Sequence, residues 1–249
     1  MTIITRRHAL IGGAGLMLAG CDRITASPTV RRVLTLGEKA TMSAQHLVTD
    51  RHALAPEFTR ADLSPVFREN GSRRPAAPDW TGHAAAGFAD WRLMVGGMVA
   101  HPLAVSLAQL RTAPARTQIT RHDCVEGWSA IGEWTGVPLG LLLKRAGLSS
   151  NARYIVFHCA DDYAGQPYYE SIDLVDAFHP QTILAHTMNG QPLSVGHGAP
   201  LRLRVERQLG YKQAKYVMRI EAVATLAGIH GGKGGYWEDH SGYQWYAGI

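Results

Sequence analysis

Residues 153–160 (Arg-Tyr-Ile-Val-Phe-His-Cys-Ala) string β-forming side chains together almost without a break. That pattern predicts a strand buried on both faces. Residues 201–205 alternate instead, Leu-Arg-Leu-Arg-Val, which predicts a half-buried strand with Arg202, Arg204 and Arg207 on its exposed side. Residues 91–95 form another strand candidate closed by a Gly96-Gly97 turn, and Ser106 is placed to cap a short helix carrying Leu107 and Leu110. Residues 116–120 predict a strand that ends close to Cys124. A Gly/Trp-rich loop and then an apolar helix, opened by Pro138 and closed by Gly147, follow it. Residues 168–172 lead into a short helix capped by Ser171, and residues 182–193 form an apolar element ended by the Asn189-Gly190 turn. Between 54 and 78, scattered Pro and Gly with little period predict an ordered surface loop that turns at Asn70-Gly71. Strands interspersed with short helices predict an α+β domain of mixed β-sheets with flanking short helices.

Composition bounds the picture. The chain has 249 residues, 46% hydrophobic and 18% charged, enough for one domain with a sizeable core. Its first twenty residues differ from the rest. Arg6-Arg7 precedes a Gly-rich apolar run ending Leu18-Ala19-Gly20-Cys21, too short to span a bilayer and laid out as a signal peptide. The paired arginines fit a twin-arginine export signal, and the ending resembles a lipobox that would lipidate Cys21. Residues 1–20 are thus expected to be a signal, 21–45 a tether and 46–249 the domain. The expected location is the periplasmic side of a bacterial membrane, held there only by a lipid on Cys21. Losing Arg6 and Arg7 lowers the formal charge from +5 to +3. With no basic run interleaved with aromatics, this excludes a nucleic-acid binder.

Cys124 is the chemically suggestive residue. A thiol at a strand end can be a metal ligand or a nucleophile paired with His122, or it can be structural, paired with Cys159. Asp161 and Asp162 end a strand as adjacent carboxylates, which can bind a cation or sit in a solvated loop.

The words around these residues add a resemblance. Cys124-Val125-Glu126-Gly127-Trp128-Ser129, then Trp134 and Gly136-Val137-Pro138-Leu139, resembles the molybdenum-binding segment of the sulfite oxidase superfamily. The branch containing periplasmic methionine-sulfoxide reductase catalytic subunits is nearest. Three further segments fit in the family's order: residues 184–193, His197-Gly198-Ala199-Pro200-Leu201-Arg202, and Gly210-Tyr211-Lys212-Gln213-Ala214-Lys215. The resemblance runs from about Ser64 to Val223 and implies a sulfite-oxidase-type molybdopterin-binding fold.

It also implies roles. Cys124 would be the thiolate ligand of a mononuclear molybdenum carried by one molybdopterin, with Asn70, Asp161 and His197 hydrogen-bonding the pterin. Arg202 and Lys215, with backbone N–H groups of Gln213 and Ala214, would hold its phosphate. The sequence departs from the family at Gly71, where a histidine is usual, at His197, where the reductases have asparagine, and at Val125-Glu126-Gly127-Trp128, where sulfite oxidases have a basic run. Glu126, two residues from the ligand, would repel sulfite if it faced the metal, which points to sulfoxide-type reduction of a small substrate. No Cys-x-x-Cys-His haem motif occurs in the sequence, so electrons would come from a separate partner, a cytochrome or a membrane quinol-linked haem subunit. The tail, residues 231–249, with six Gly and two Trp, reads as a packed loop rimming the site.

Overall fold

The computed structural model describes residues 27–249, so Arg6, Arg7 and Cys21 lie outside the described residues. The chain divides at Thr49/Asp50 into two units. The described part of the first is helix α1, Pro28–Val48, where a tether is expected from the sequence. Pro28 opens it, and the run from Val30 has one glycine and no further proline, so nothing stops the helix. Val33, Leu34, Leu36, Leu47 and Val48 on it are exposed.

The second unit, from Asp50 on, is built of two sheets, as an α+β domain requires. After a loop and helix α2 (Pro78–Ala85) come β1 (Arg92–Gly97) and β2 (Leu103–Ser106), then α3 (Leu107–Thr112). Ser106 accepts from the Gln109 N–H at 3.1 Å and Gln109 reaches back to the Ser106 N–H, a capping box that fixes where α3 starts. Next come β3 (Arg116–Asp123), β4 (Ser129–Pro138) and α4 (Leu139–Ala146). Gly147 closes α4 at φ 68°, the left-handed position glycine takes without strain. The chain continues through β5 (Tyr154–Tyr163), β6 (Gln166–Asp173), α5 (Leu174–Ala177), β7 (Ile183–Met188), β8 (Gln191–Pro192) and β9 (Arg202–Arg204). It ends with β10 (Val217–Val223) and α6 (Tyr236–Ser241).

One sheet has the order β2-β1-β10-β5-β6, with β1 and β10 parallel and the other pairs antiparallel. The other runs β3-β4-β7-β8, with β9 added on β7. The principal core joins both sheets through Leu93, Phe157 and Ile220 from the first and Val137, Leu184 and Leu203 from the second, with Leu142 and Leu143 of α4. Each such side chain taken out of water contributes roughly 1.5–3 kcal/mol.

Three local readings change. The Gly/Trp-rich stretch after Cys124 is strand β4, paired to β3 from Arg116↔Gly136 to Asp123↔Ser129. Its Gly136 is there for close approach. A Cβ would lie 2.5 Å from the Ala185 Cα and would also strike the Leu184 carbonyl on β7. The short helix α5 is capped by Asp173, which accepts from the Asp176 N–H at 2.9 Å, and Ser171 lies inside β6. Finally, β9 is buried on both faces, so Arg202, Arg204 and the following Arg207 are interior residues.

Candidate active site

The β3–β4 hairpin sets the position of Cys124. The Cys124 N–H donates to the Trp128 carbonyl at 2.9 Å, and the Gly127 N–H to the Cys124 carbonyl at 3.0 Å. Gly127 has φ 83°, which lets five residues reverse the chain. The turn thus holds the thiol against a solvent-open cavity of about 150 Å³. Cys124 is 7% exposed.

Asn70, from the loop turning at Gly71 (φ 67°), donates through Nδ2 to Cys124 Sγ at 3.2 Å. Burial holds the thiol above its ordinary value against the opposing pull of the Glu126 amide. His122, two residues earlier, lies on the same cavity wall. Burial, and then the Arg204 and Arg202 cations, keep its ring well below the ordinary value and neutral. Its Nδ1 takes the Arg204 Nη1–H at 3.1 Å, so that nitrogen is engaged away from the sulfur. A protonated thiol whose neighbouring imidazole is occupied by Arg204 lacks what a thiol nucleophile needs. Cys124 and Cys159 are both free, which also removes the disulfide reading.

Glu126 lines the cavity mouth, its Oε2 accepting from the Trp128 indole N–H at 3.1 Å. Arg68 covers the Trp128 ring at 5.7 Å.

Arg202 and Lys215 meet deeper in the cavity. Arg202 is 5% exposed and, among the described residues, makes no ion pair. Its guanidinium donates to the His197 carbonyl at 3.2 Å and the Gln213 carbonyl at 3.4 Å, while its Nε has no partner. Burial, with Arg204 nearby, lowers it to about 9. Lys215 Nζ donates to the carbonyls of Asn70 (2.7 Å), Gly196 (3.0 Å) and Ser72. Burial, then Arg202, brings it down to about 7. Asp161 is buried beside them, 3% exposed with Oδ1 unpartnered, and burial lifts it to about 7 against the pull of Lys215. Behind this wall Arg204 is clamped bidentately by Glu206 at 2.6 and 2.9 Å, and Gln118 donates to Glu206 at 2.8 Å. Arg204 is therefore neutralised where Arg202 is not.

The structure thus brings Cys124, Glu126, Asn70, Asp161, Arg202, Gln213 and Lys215 to one cavity. Two expected members stand elsewhere. His197 is off the cavity wall, its ring bridging the Ser194 hydroxyl (2.8 Å) and the Phe67 carbonyl (3.2 Å), which anchors the 67–71 loop. Ala214 packs in the core, where its carbonyl accepts from the Leu203 N–H. The Gln213 N–H is spent on the Gly210 carbonyl at 3.1 Å, so Gln213 faces the cavity through its side chain, whose Oε1 is unpartnered. Residues that sequence reasoning gave no role also line it, Arg68, Tyr163, Tyr168 and Tyr211, and the tail, expected to rim the site, contributes Trp237 and Tyr243. For the tail, the signal is the Gly/Trp content of residues 231–249.

Comparison with known proteins agrees with this geometry. Residues 81–227 match the oxidoreductase molybdopterin binding domain family. A chain of Azospira oryzae named as protein-methionine-sulfoxide reductase subunit YedZ1 is 37% identical over 246 residues, 98% of this chain and 86% of that one. The protein-methionine-sulfoxide reductase catalytic subunit MsrP of Xanthomonas axonopodis pv. citri is 38% identical over 147 residues, but this chain spans only 46% of its length. Among solved structures, the sulfane dehydrogenase SoxCD of Paracoccus pantotrophus superposes with a TM-score of 0.50 at 26% identity, covering 55% of this chain and 39% of that one.

The cavity fits a molybdopterin on its own terms. Buried polar groups normally have partners, and here Arg202 Nε, Asp161 Oδ1 and Gln213 Oε1 lack them on one wall. A guanidinium with a free Nε, beside a lysine, suits a phosphate, hydrogen-bonding atoms of a pterin suit the carboxyl and amide oxygens, and a cysteine sulfur faces the same space. The chain belongs to the sulfite oxidase family and is a molybdopterin-binding oxidoreductase.

Proposed function

We propose that this chain reduces a sulfoxide to the thioether at a mononuclear molybdenum held by one molybdopterin. In the net reaction the sulfoxide takes up two protons and two electrons, its sulfur–oxygen bond breaks, and the thioether and one water leave. The observation that carries the proposal is the Cys124 sulfur, fixed by the hairpin turn and by Asn70 at 3.2 Å, on the wall of the cavity that contains Arg202, which makes no ion pair among the described residues. The cofactor supplies the two-electron oxygen-atom exchange when bound. The chain supplies position: Cys124 offers the thiolate, Asn70 orients it, and Arg202 and Lys215 grip the phosphate. Asp161 and the Gln213 side chain face the pterin, and Glu126 at the mouth disfavours anionic substrates such as sulfite. The relatives named as methionine-sulfoxide reductase subunits support sulfoxide as the substrate class. Electrons reach the site from a separate protein, a cytochrome or a membrane quinol-linked haem subunit, a reading supported by relatives named as subunits of a reductase. Twin-arginine export and a lipid on Cys21 would hold the chain on the periplasmic side of the membrane.

The test is molybdenum per polypeptide in protein exported by its own route, beside a Cys124→Ser variant, with sulfoxide-dependent oxidation of a reduced viologen dye as the activity. About one molybdenum per chain, turnover by the wild type, and an altered Mo(V) resonance with lost turnover in the variant are expected. Folded, exported protein without molybdenum would sink the proposal.

A further inference from the structure

The family match ends at residue 227, yet the wall of the cavity continues beyond it. Trp237 and Tyr243 both face the cavity, their rings stacked with centroids 5.8 Å apart and planes 25° from parallel. Tyr211 meets Tyr243 edge-on at 5.0 Å, and Tyr163 lies 5.4 Å from Trp237. None of these rings is needed for the polar grip on the cofactor, which Arg202, Lys215 and Asp161 provide. A continuous aromatic face next to a polar cavity suits an apolar, polarisable group, and sulfur packs favourably beside aromatic rings.

The tail is also anchored more firmly than a solvent-facing rim requires. Lys212 is fully buried and pairs with Glu170 at 2.5 Å and Glu238 at 2.7 Å, both carboxylates buried as well. Glu238 follows Trp237 on α6, and Lys212 follows Tyr211. One ion cluster therefore sets the position of two separate parts of the wall. Asp239 adds a second seat, accepting from the Gly231 N–H at 2.9 Å, the Lys233 N–H at 3.0 Å and the Tyr169 hydroxyl. Trp245 adds a third, donating to Ser171 Oγ at 2.8 Å.

We infer that the Trp237–Tyr243 pair determines substrate specificity, receiving the apolar side arm of a thioether or of its sulfoxide. The inference rests on the sulfoxide reading and deepens it. It separates substrates by size: a methionyl side chain in a peptide reaches the wall, whereas dimethyl sulfoxide has too little apolar surface to use it.

The experiment is isothermal titration of the molybdenum-loaded protein with N-acetylmethionine amide, a thioether that cannot turn over as a sulfoxide. Wild type, Trp237→Ala and Trp237→Phe are compared. The Kd is expected to rise about tenfold in Trp237→Ala and to return to within about threefold in Trp237→Phe. Molybdenum content and the Mo(V) resonance should stay at wild-type values, because neither ring takes part in the polar grip on the cofactor. A loaded Trp237→Ala protein that binds the thioether as the wild type does overturns the inference, and so does a wild type with no measurable thioether binding. A wild type that binds through Trp237 but reduces no sulfoxide would instead overturn only the proposed reaction.

Discussion

Asp161 carries the clearest pH signature of any single residue. Its ordinary value is 3.8, and burial raises it to about 7 in the fold. Between those values the folded chain binds more protons at this carboxyl than the unfolded chain does. Stability from this group is therefore complete below about pH 4 and is lost as pH rises through 7, with a slope of up to about 1.4 kcal/mol per pH unit. Lys215, lowered to about 7, acts in the opposite sense but only above that pH. In cofactor-free protein, Asp161→Asn should be more stable than the wild type at pH 7 and should converge with it near pH 4. Urea unfolding across that range measures the gap, and a gap of constant size would assign Asp161 to shape alone. The residue scale also shows what a motif leaves out at His197. A motif gives a residue's neighbours in sequence, but Ser194 and Phe67 had already taken both ring nitrogens.

Elements explain what could and could not be read from the chain. Gly136→Ala places a methyl group against the backbone of Leu184 and Ala185 at the irregularity where β4 meets β7. The variant should lose about 1–3 kcal/mol of stability in chemical denaturation, because backbone cannot yield as a side chain can. Unchanged stability would mean that the two strands part at little cost. The same glycines hid the strand. Gly132 and Gly136 read as loop by composition, whereas they clear space for the Phe67 ring and the β7 backbone. Strands announced by continuous or alternating β-formers, such as β1 and β5, were legible, as was the Ser106 cap, because their causes are local. Alternation in β9 suggested exposed arginines, since nothing local reveals that Glu206 and Trp134 await them inside, with Arg204 4.4 Å over the Trp134 ring. Cys124, Asn70, Asp161, Arg202 and Lys215 could be named from motifs. The tail could be read as a rim, but not which of its rings face the cavity, because Trp237 and Tyr243 gain their place through the distant Glu170–Lys212–Glu238 contacts.

For the molecule as a whole, the cavity is where stability and loading meet. The buried Arg202 Nε and Asp161 Oδ1 have no partner, a cost that the proposed cofactor would remove. Loaded protein should therefore melt above the empty chain, by the equivalent of about 4 kcal/mol at a thousandfold excess over Kd. Calorimetry of loaded and empty wild type and Arg202→Met should find the gap narrowed in the variant. Equal gaps would show that Arg202 does not grip the cofactor.

The cavity draws Arg68 from before the first strand and Trp237 from after the last, 169 positions apart in the sequence. Closing so long a loop costs entropy that local hairpins do not incur, and contacts of this span form late in folding. Hairpins such as β3–β4 and β5–β6 are expected to assemble first, and the pocket to be completed last. Cofactor capture is then a post-folding event, and a chain halted before residue 237 would carry Cys124 in its hairpin without a finished place to keep what Cys124 binds.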